Sequence, residues 1–336
     1  MKLNRNSKIF INYFLGPLLF VWLSWSIYRQ IQKQPDLTTA WQAIKASFST
    51  RLVWNLVAVI LLMLVNWSIE AVKWKISVRP IQRVSFLKAF RAVLSGVSFS
   101  VSTPYRVGEY LGRVLYMDEG NRLKTISITI VGSISQVIIT LLMGCIGLLI
   151  LRPEIESHQL ISPIWMKVIL CGIIAVFSGL LLFYFRLPWL VRWVDKLPGS
   201  NRFAYLIRAL EDFSAGLLSR LLLLSVLRFM VFIAQYYLML QFFAVDISLW
   251  ECLWSVSIIF LVLAIIPSFA IADIGLRGEV GITLIGIFAA NKLGILFTTV
   301  VIWFVNLIVP AIIGSLLILG IRKILKNREE KSIDDN

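Results

Sequence analysis

Two stretches decide how this chain is read: Ser102-Thr103-Pro104-Tyr105-Arg106-Val107-Gly108-Glu109-Tyr110 and Ala272-Asp273-Ile274-Gly275-Leu276-Arg277-Gly278-Glu279-Val280. Each places a Gly–Glu pair beside an arginine in the middle of a long apolar region. The two glutamates, at 109 and 279, stand 170 residues apart in a chain of 336, about half its length. Ionisable side chains at bilayer depth are costly and as a rule functional. A matched pair in corresponding places of two halves predicts a transporter-like site between internal repeats.

Composition sets the medium. The chain is 59% hydrophobic and 15% charged, with mean hydropathy +0.84. A water-soluble protein of this size has no core large enough to hide that much apolar surface, so the solvent is lipid. The 12 Trp and 9 Tyr suit the lipid–water interfaces. The formal charge of +15 lies between apolar spans rather than in a basic arm or an RNA-binding motif. It therefore points to topology and anionic headgroups, not to nucleic acid. Cys145, Cys171 and Cys252 form no CxxC or zinc spacing. The one histidine, His158, sits in a short polar loop, so neither multi-His metal sites nor His-based catalysis is expected. No catalytic residue, cofactor or metal is assigned.

Runs of about 20 apolar residues cross a bilayer. Six segments qualify: 9–28, 52–73, 125–151, 163–185, 218–243 and 292–321. The first follows Lys2, Arg5 and Lys8 and is too long for a cleaved signal segment, so it is read as a retained span. Two more apolar regions, 84–117 and 252–290, are broken in the middle. Pro104 and Gly108 interrupt the first, and Pro267, Gly275 and Gly278 the second. Proline removes a helix donor, and the opened backbone must face protein or a wet cavity. Each region is expected to be a broken or re-entrant helical hairpin, although eight full spans also fit the lengths. Lysine and arginine crowd 73–91, 186–220 and the tail from Arg322, while the 152–162 and 244–251 loops are poor in them. That bias puts both termini in the cytoplasm. The loop 29–51, basic yet external in this topology, is expected to hold a surface helix around 37–48.

The fold expected is thus all-α and polytopic: a single membrane domain over 1–336 with an inverted repeat. Half one covers about 1–151, half two about 163–321, and 322–336 is a charged cytoplasmic tail. Span 52–73 corresponds to 218–243, the hairpins to each other, and 125–151 to 292–321.

The motifs carry a resemblance. Val72-Lys73-Trp74-Lys75, Thr103-Pro104-Tyr105-Arg106-Val107-Gly108-Glu109 and Gly275-Leu276-Arg277-Gly278-Glu279, in this order and placement, resemble the membrane region of the lysylphosphatidylglycerol synthetase family, often described as flippase-like. Val107 stands where that family has a small residue, and Asp273 also departs from its pattern. The resemblance implies a lipid-handling protein of the bacterial plasma membrane. The full synthetases continue into a soluble aminoacyl-transferase domain; this sequence ends 15 residues after its last expected span, at 321, so aminoacyl transfer is not expected of it.

Arg106, Glu109 and Arg113 fall on one helix face at i, i+3 and i+7, and Glu109–Arg113 and Asp273–Arg277 share the i, i+4 spacing of ion pairs. The substrate-binding expectation is that Arg106 and Arg277 hold a headgroup phosphate, which suits the guanidinium fork. Glu109 and Glu279 would orient those arginines, accept hydroxyl or amine groups, or carry a coupling proton, and Arg113 and Asp273 are grouped with them as substrate-binding candidates. The alternative is that these charges only neutralise one another and fix hairpin packing. Asn66 and Glu70 share a face, with Glu70 expected to pair with Lys73 or Lys75 at the basic end of its span. Lys73 to Arg91 are expected to form a solvated, lipid-facing run. Gln136, Gln235 and Asn306 are expected to hydrogen-bond between helices, Gly144 and Gly147 to allow close packing, and Arg228 to line a cavity or meet an acid. The leading function is binding or translocation of a phospholipid or lipid-linked anionic substrate, with membrane lipids as partners. Small-solute or ion transport, a membrane-embedded enzyme, or service as an accessory subunit of a lipid- or glycan-modifying transferase remain alternatives. A homo-oligomer is also compatible.

Overall fold

The computed structural model describes residues 37–101, 108–187, 213–266 and 270–319, with 25, 28, 29, 32, 189, 210 and 211 as isolated positions. Every regular element among the described residues is helical. In chain order they are α1 (Leu37–Ser47), α2 (Val53–Val78), α3 (Phe86–Val101), α4 (Gly108–Val114), a 3-10 turn (Glu119–Asn121) leading into α5 (Arg122–Ile150), and α6 (Arg152–Ser157). Then come α7 (Pro163–Phe185), α8 (Ala215–Phe242), α9 (Leu249–Ile265), α10 (Ala270–Ile285) and α11 (Lys292–Trp303). The last passes through one π-helical turn (Phe304–Ile308) and runs on to Leu319.

Five helices are long and apolar enough to cross a bilayer: α2, α5 with its leading turn, α7, α8 and α11 with its continuation. They coincide with five of the six expected spans; 9–28 lies almost wholly outside the described residues. The chain is a polytopic helical membrane protein. Its outward faces agree: Ile164, Trp165, Val168, Ile174, Val176 and Leu182 of α7 are all exposed, an arrangement that lipid tolerates and water does not. α1 is the helix expected around 37–48.

Both broken regions are helix pairs. α3 packs on α4, and α9 on α10. Over the described residues the four helices hold 16, 7, 17 and 16 residues, against the ~20 a crossing takes. Pro104, Arg106 and Pro267 lie outside the described residues. A serine opens each pair: Ser85 Oγ accepts from Lys88 N at 3.2 Å, and Ser248 Oγ from Glu251 N at 3.2 Å. An asparagine closes each mouth. Asn121 Nδ2 donates to Ile81 O at 3.2 Å, just beyond the end of α2. Asn291 Nδ2 donates to Phe243 O at 3.0 Å and Ala244 O at 3.1 Å, at the end of α8. Each hairpin therefore leaves and returns at one end of the bundle. The asparagines, 121 and 291, are again 170 residues apart, whereas the serines, 85 and 248, are 163 apart; the second hairpin is seven residues longer.

The long helices show how the halves face each other. Asn55 Nδ2 donates to Leu238 O (3.2 Å), Gln235 Nε2 to Val59 O (3.0 Å) and Lys73 Nζ to Ser225 Oγ (3.3 Å). Partners on α8 fall in number as those on α2 rise, so these equivalent helices run antiparallel. The hairpins pack crosswise, α9 against α5 and α3 against the π-turn of α11. Gly144 of α5 permits the first contact: a β-carbon there would stand 2.5 Å from Leu261 Cβ on α9. Gly314 permits the second, since a β-carbon there would collide with Leu94 O on α3. These glycines, too, are 170 apart. Gly147 lies close against α9 as well.

Candidate functional site

Where α2 and α8 cross, a carboxylate is surrounded by cations. Glu70 Oε1 accepts from Arg113 Nη2 at 2.9 Å, and Oε2 accepts from Arg228 Nη1 at 2.6 Å and pairs with Lys73 Nζ at 3.1 Å. Arg113 also pairs with Glu109 one helical turn back. Glu70, Lys73 and Arg113 are buried. Three cations against two carboxylates leave one positive charge in excess. Desolvating so many charges is tolerable only when each is bonded to an opposite partner, and here every member is.

The cluster corrects one sequence expectation. Lys73 does not belong to a solvated basic run: it is turned inward, 2% exposed, between Glu70 and Ser225, whose hydroxyl meets Ser135 Oγ at 2.9 Å. Glu70 does pair with Lys73, yet its reach is wider than an end-of-span pair, because it also ties α4 and α8 to α2.

Arg228 extends the cluster into open space. It sits midway along α8; its Nε donates to Asn66 Oδ1 at 2.7 Å, and its guanidinium lies 5.0 Å from the Trp67 ring centre and 5.8 Å from that of Phe232. Asn66 Nδ2 in turn donates to Asn306 Oδ1 at 3.2 Å. Asn306 occupies the π-turn, a distortion that recurs at functional sites. Arg228, Trp67, Phe232 and Asn306 border a cavity of about 230 Å³. Its walls come from both halves: Trp67 of α2, Gln136 and Thr140 of α5, Arg228 and Phe232 of α8, Phe260 of α9, Arg277 of α10, and Trp303 and Asn306 at the π-turn. Arg277 Nε bonds to Asp273 Oδ2 at 2.9 Å, and the buried Tyr236 hydroxyl lies within its electrostatic reach.

Of the six side chains singled out from the sequence, Arg277 lines this cavity with Asp273 behind it. Arg113 and Glu109 stand one ion pair back, behind Glu70. Glu279 is half-buried on α10, and Arg106 lies outside the described residues. Gly108 is buried at the start of α4, whereas Gly275 and Gly278, expected to break the second hairpin, lie buried inside the continuous helix α10. The sequence reading gave Glu70 and Lys73 too small a part, because both looked like end-of-span charges. Asn306 and Gln235 do hydrogen-bond between helices. Gln136 does not: its Oε1 has no partner among the described residues.

A bundle of membrane-length helices bordering a cavity that presents two guanidinium groups defines a polytopic helical membrane protein. The family described as the lysylphosphatidylglycerol synthase TM region matches residues 13–314, and the chain belongs to that family. No curated protein matches it.

Proposed function

We propose that the cavity receives the anionic headgroup of a phospholipid or lipid-linked substrate while the acyl chains stay in the surrounding lipid, and that the two halves move the headgroup across the membrane. One observation carries this reading: Arg228 and Arg277, from different elements of the second half, face one cavity that the first half completes. Arginine's planar fork suits phosphate, and a low-dielectric setting strengthens the attraction. Hairpins too short to cross, each returning to its own end, fit re-entrant elements that meet at the bilayer centre. The basic 75–91 and 186–220 segments and the tail support a topology with both termini on the cytoplasmic side of a bacterial plasma membrane.

The test is reconstitution into vesicles carrying fluorescent-tailed phosphatidylglycerol. Headgroup movement without chemical change, reduced tenfold or more in Arg277→Gln, is expected. A new lipid species by mass spectrometry would instead mark an enzyme. Movement of a small solute or ion with no lipid movement would mark a solute transporter, and inactivity with a co-purifying transferase an accessory subunit.

A further inference from the structure

Three residues that line the cavity each carry a buried polar atom with no partner among the described residues: Trp67 Nε1, Trp303 Nε1 and Gln136 Oε1. Trp67 is only 6% exposed. Buried polar groups are nearly always bonded, so three exceptions around one space need an explanation. Trp254 Nε1 is also unpartnered but does not line the cavity. The wall chemistry is asymmetric. Arg228, Arg277 and the two indoles offer donors only. Asn66 Oδ1 and Asn306 Oδ1 already accept bonds within the protein. Gln136 Oε1 is the wall amide oxygen with no partner among the described residues, beside the Thr140 hydroxyl, which donates to Gln136 O at 3.0 Å and keeps acceptor capacity. An occupant that satisfies these walls brings several acceptor oxygens and at least one donor.

We infer that Trp67, Trp303 and Gln136 read the headgroup: the indoles donate to its phosphate, and Gln136 accepts from a hydroxyl or amine on its substituent, favouring headgroups that carry one. This rests on the reading of the cavity as a headgroup site. A site built to bond a donor discriminates against the analogue that lacks it, because its own acceptor is then left unpaired.

The experiment is native mass spectrometry of the full chain in detergent with equal amounts of dioleoyl phosphatidylglycerol and dioleoyl phosphatidylmethanol. These share charge and tails and differ in the headgroup hydroxyls. The wild type is expected to retain the glycerol headgroup about tenfold better, a factor in line with one hydrogen bond to a buried acceptor. Gln136→Met is expected to bring the ratio to about one. Trp67→Phe and Trp303→Phe are expected to lower retention of both lipids and leave the ratio alone. Equal retention by the wild type, or a ratio that survives Gln136→Met, overturns the inference; if that variant does not fold, Gln136→Leu carries the same test. Vesicles separate this from the translocation reading. A preserved preference without movement sinks translocation alone, and equal movement of both lipids without preference sinks headgroup reading alone.

Discussion

The two hairpins start from similar sequence and end in different employment. In the first, Arg113 turns away from the cavity, joins Glu109 and Glu70, and so fastens α4 to α2. In the second, Arg277 pairs with Asp273 on its own helix and keeps its place on the cavity wall. The difference lies in what each hairpin packs against. Crossing α2 and α8 bring a carboxylate to Arg113, whereas α10 supplies its own. A repeated motif thus yields a clamp in one half and a presented cation in the other.

The sharpest way to break this comparison is to remove the acid on each side. Glu70→Gln strips the shared partner from Lys73, Arg113 and Arg228, and a broken buried pair is worth about 3–5 kcal/mol. Asp273→Asn removes one local i, i+4 partner and is expected to destabilise far less. Thermal unfolding of both variants in detergent measures the gap, and equal losses would mean that the hairpins are clamped alike. Next in size are the glycines. Gly314→Ala meets the Leu94 backbone, and Gly144→Ala meets Leu261 Cβ, an atom that no rotamer change moves. Overpacking costs about 1–3 kcal/mol, with both variants expected in the upper part of that range and Gly314→Ala, the closer clash, the larger. The smallest effect separates the two mouths. Asn291→Ala loses bonds to Phe243 O and Ala244 O and the cap on Gly294 N at 2.9 Å, for about 2 kcal/mol. Asn121→Ala loses its 3.2 Å bond to Ile81 O, for about 1 kcal/mol. Hydrogen exchange at the hairpin bases is the readout, and a larger effect at Asn121 would reverse the order proposed.

Much of the architecture was legible in the sequence. Hydropathy marked five described spans, because a crossing helix has a length that lipid dictates. The two broken apolar regions did hold helix pairs, but the small residues did not make the breaks: Gly275 and Gly278 lie within α10, and Pro104 and Pro267 lie outside the described residues. Glu109–Arg113 and Asp273–Arg277 were readable as pairs because i, i+4 neighbours meet on any helix.

The centre of the site was not legible in that way. Glu70 meets Arg228 across 158 residues and Arg113 across 43, and no local periodicity encodes a partner at such separations. Lys73, near a helix end, looked solvated until the crossing of α2 and α8 enclosed it, and Gln136 looked like one more interhelical polar residue. The sequence by itself determined the medium and the lengths of the crossing helices, because these follow from transfer free energy and backbone bonding along one segment. Only the tertiary structure decided which charges neutralise one another and which face the cavity, because a buried charge is settled by whatever the other helices bring within about 3 Å of it.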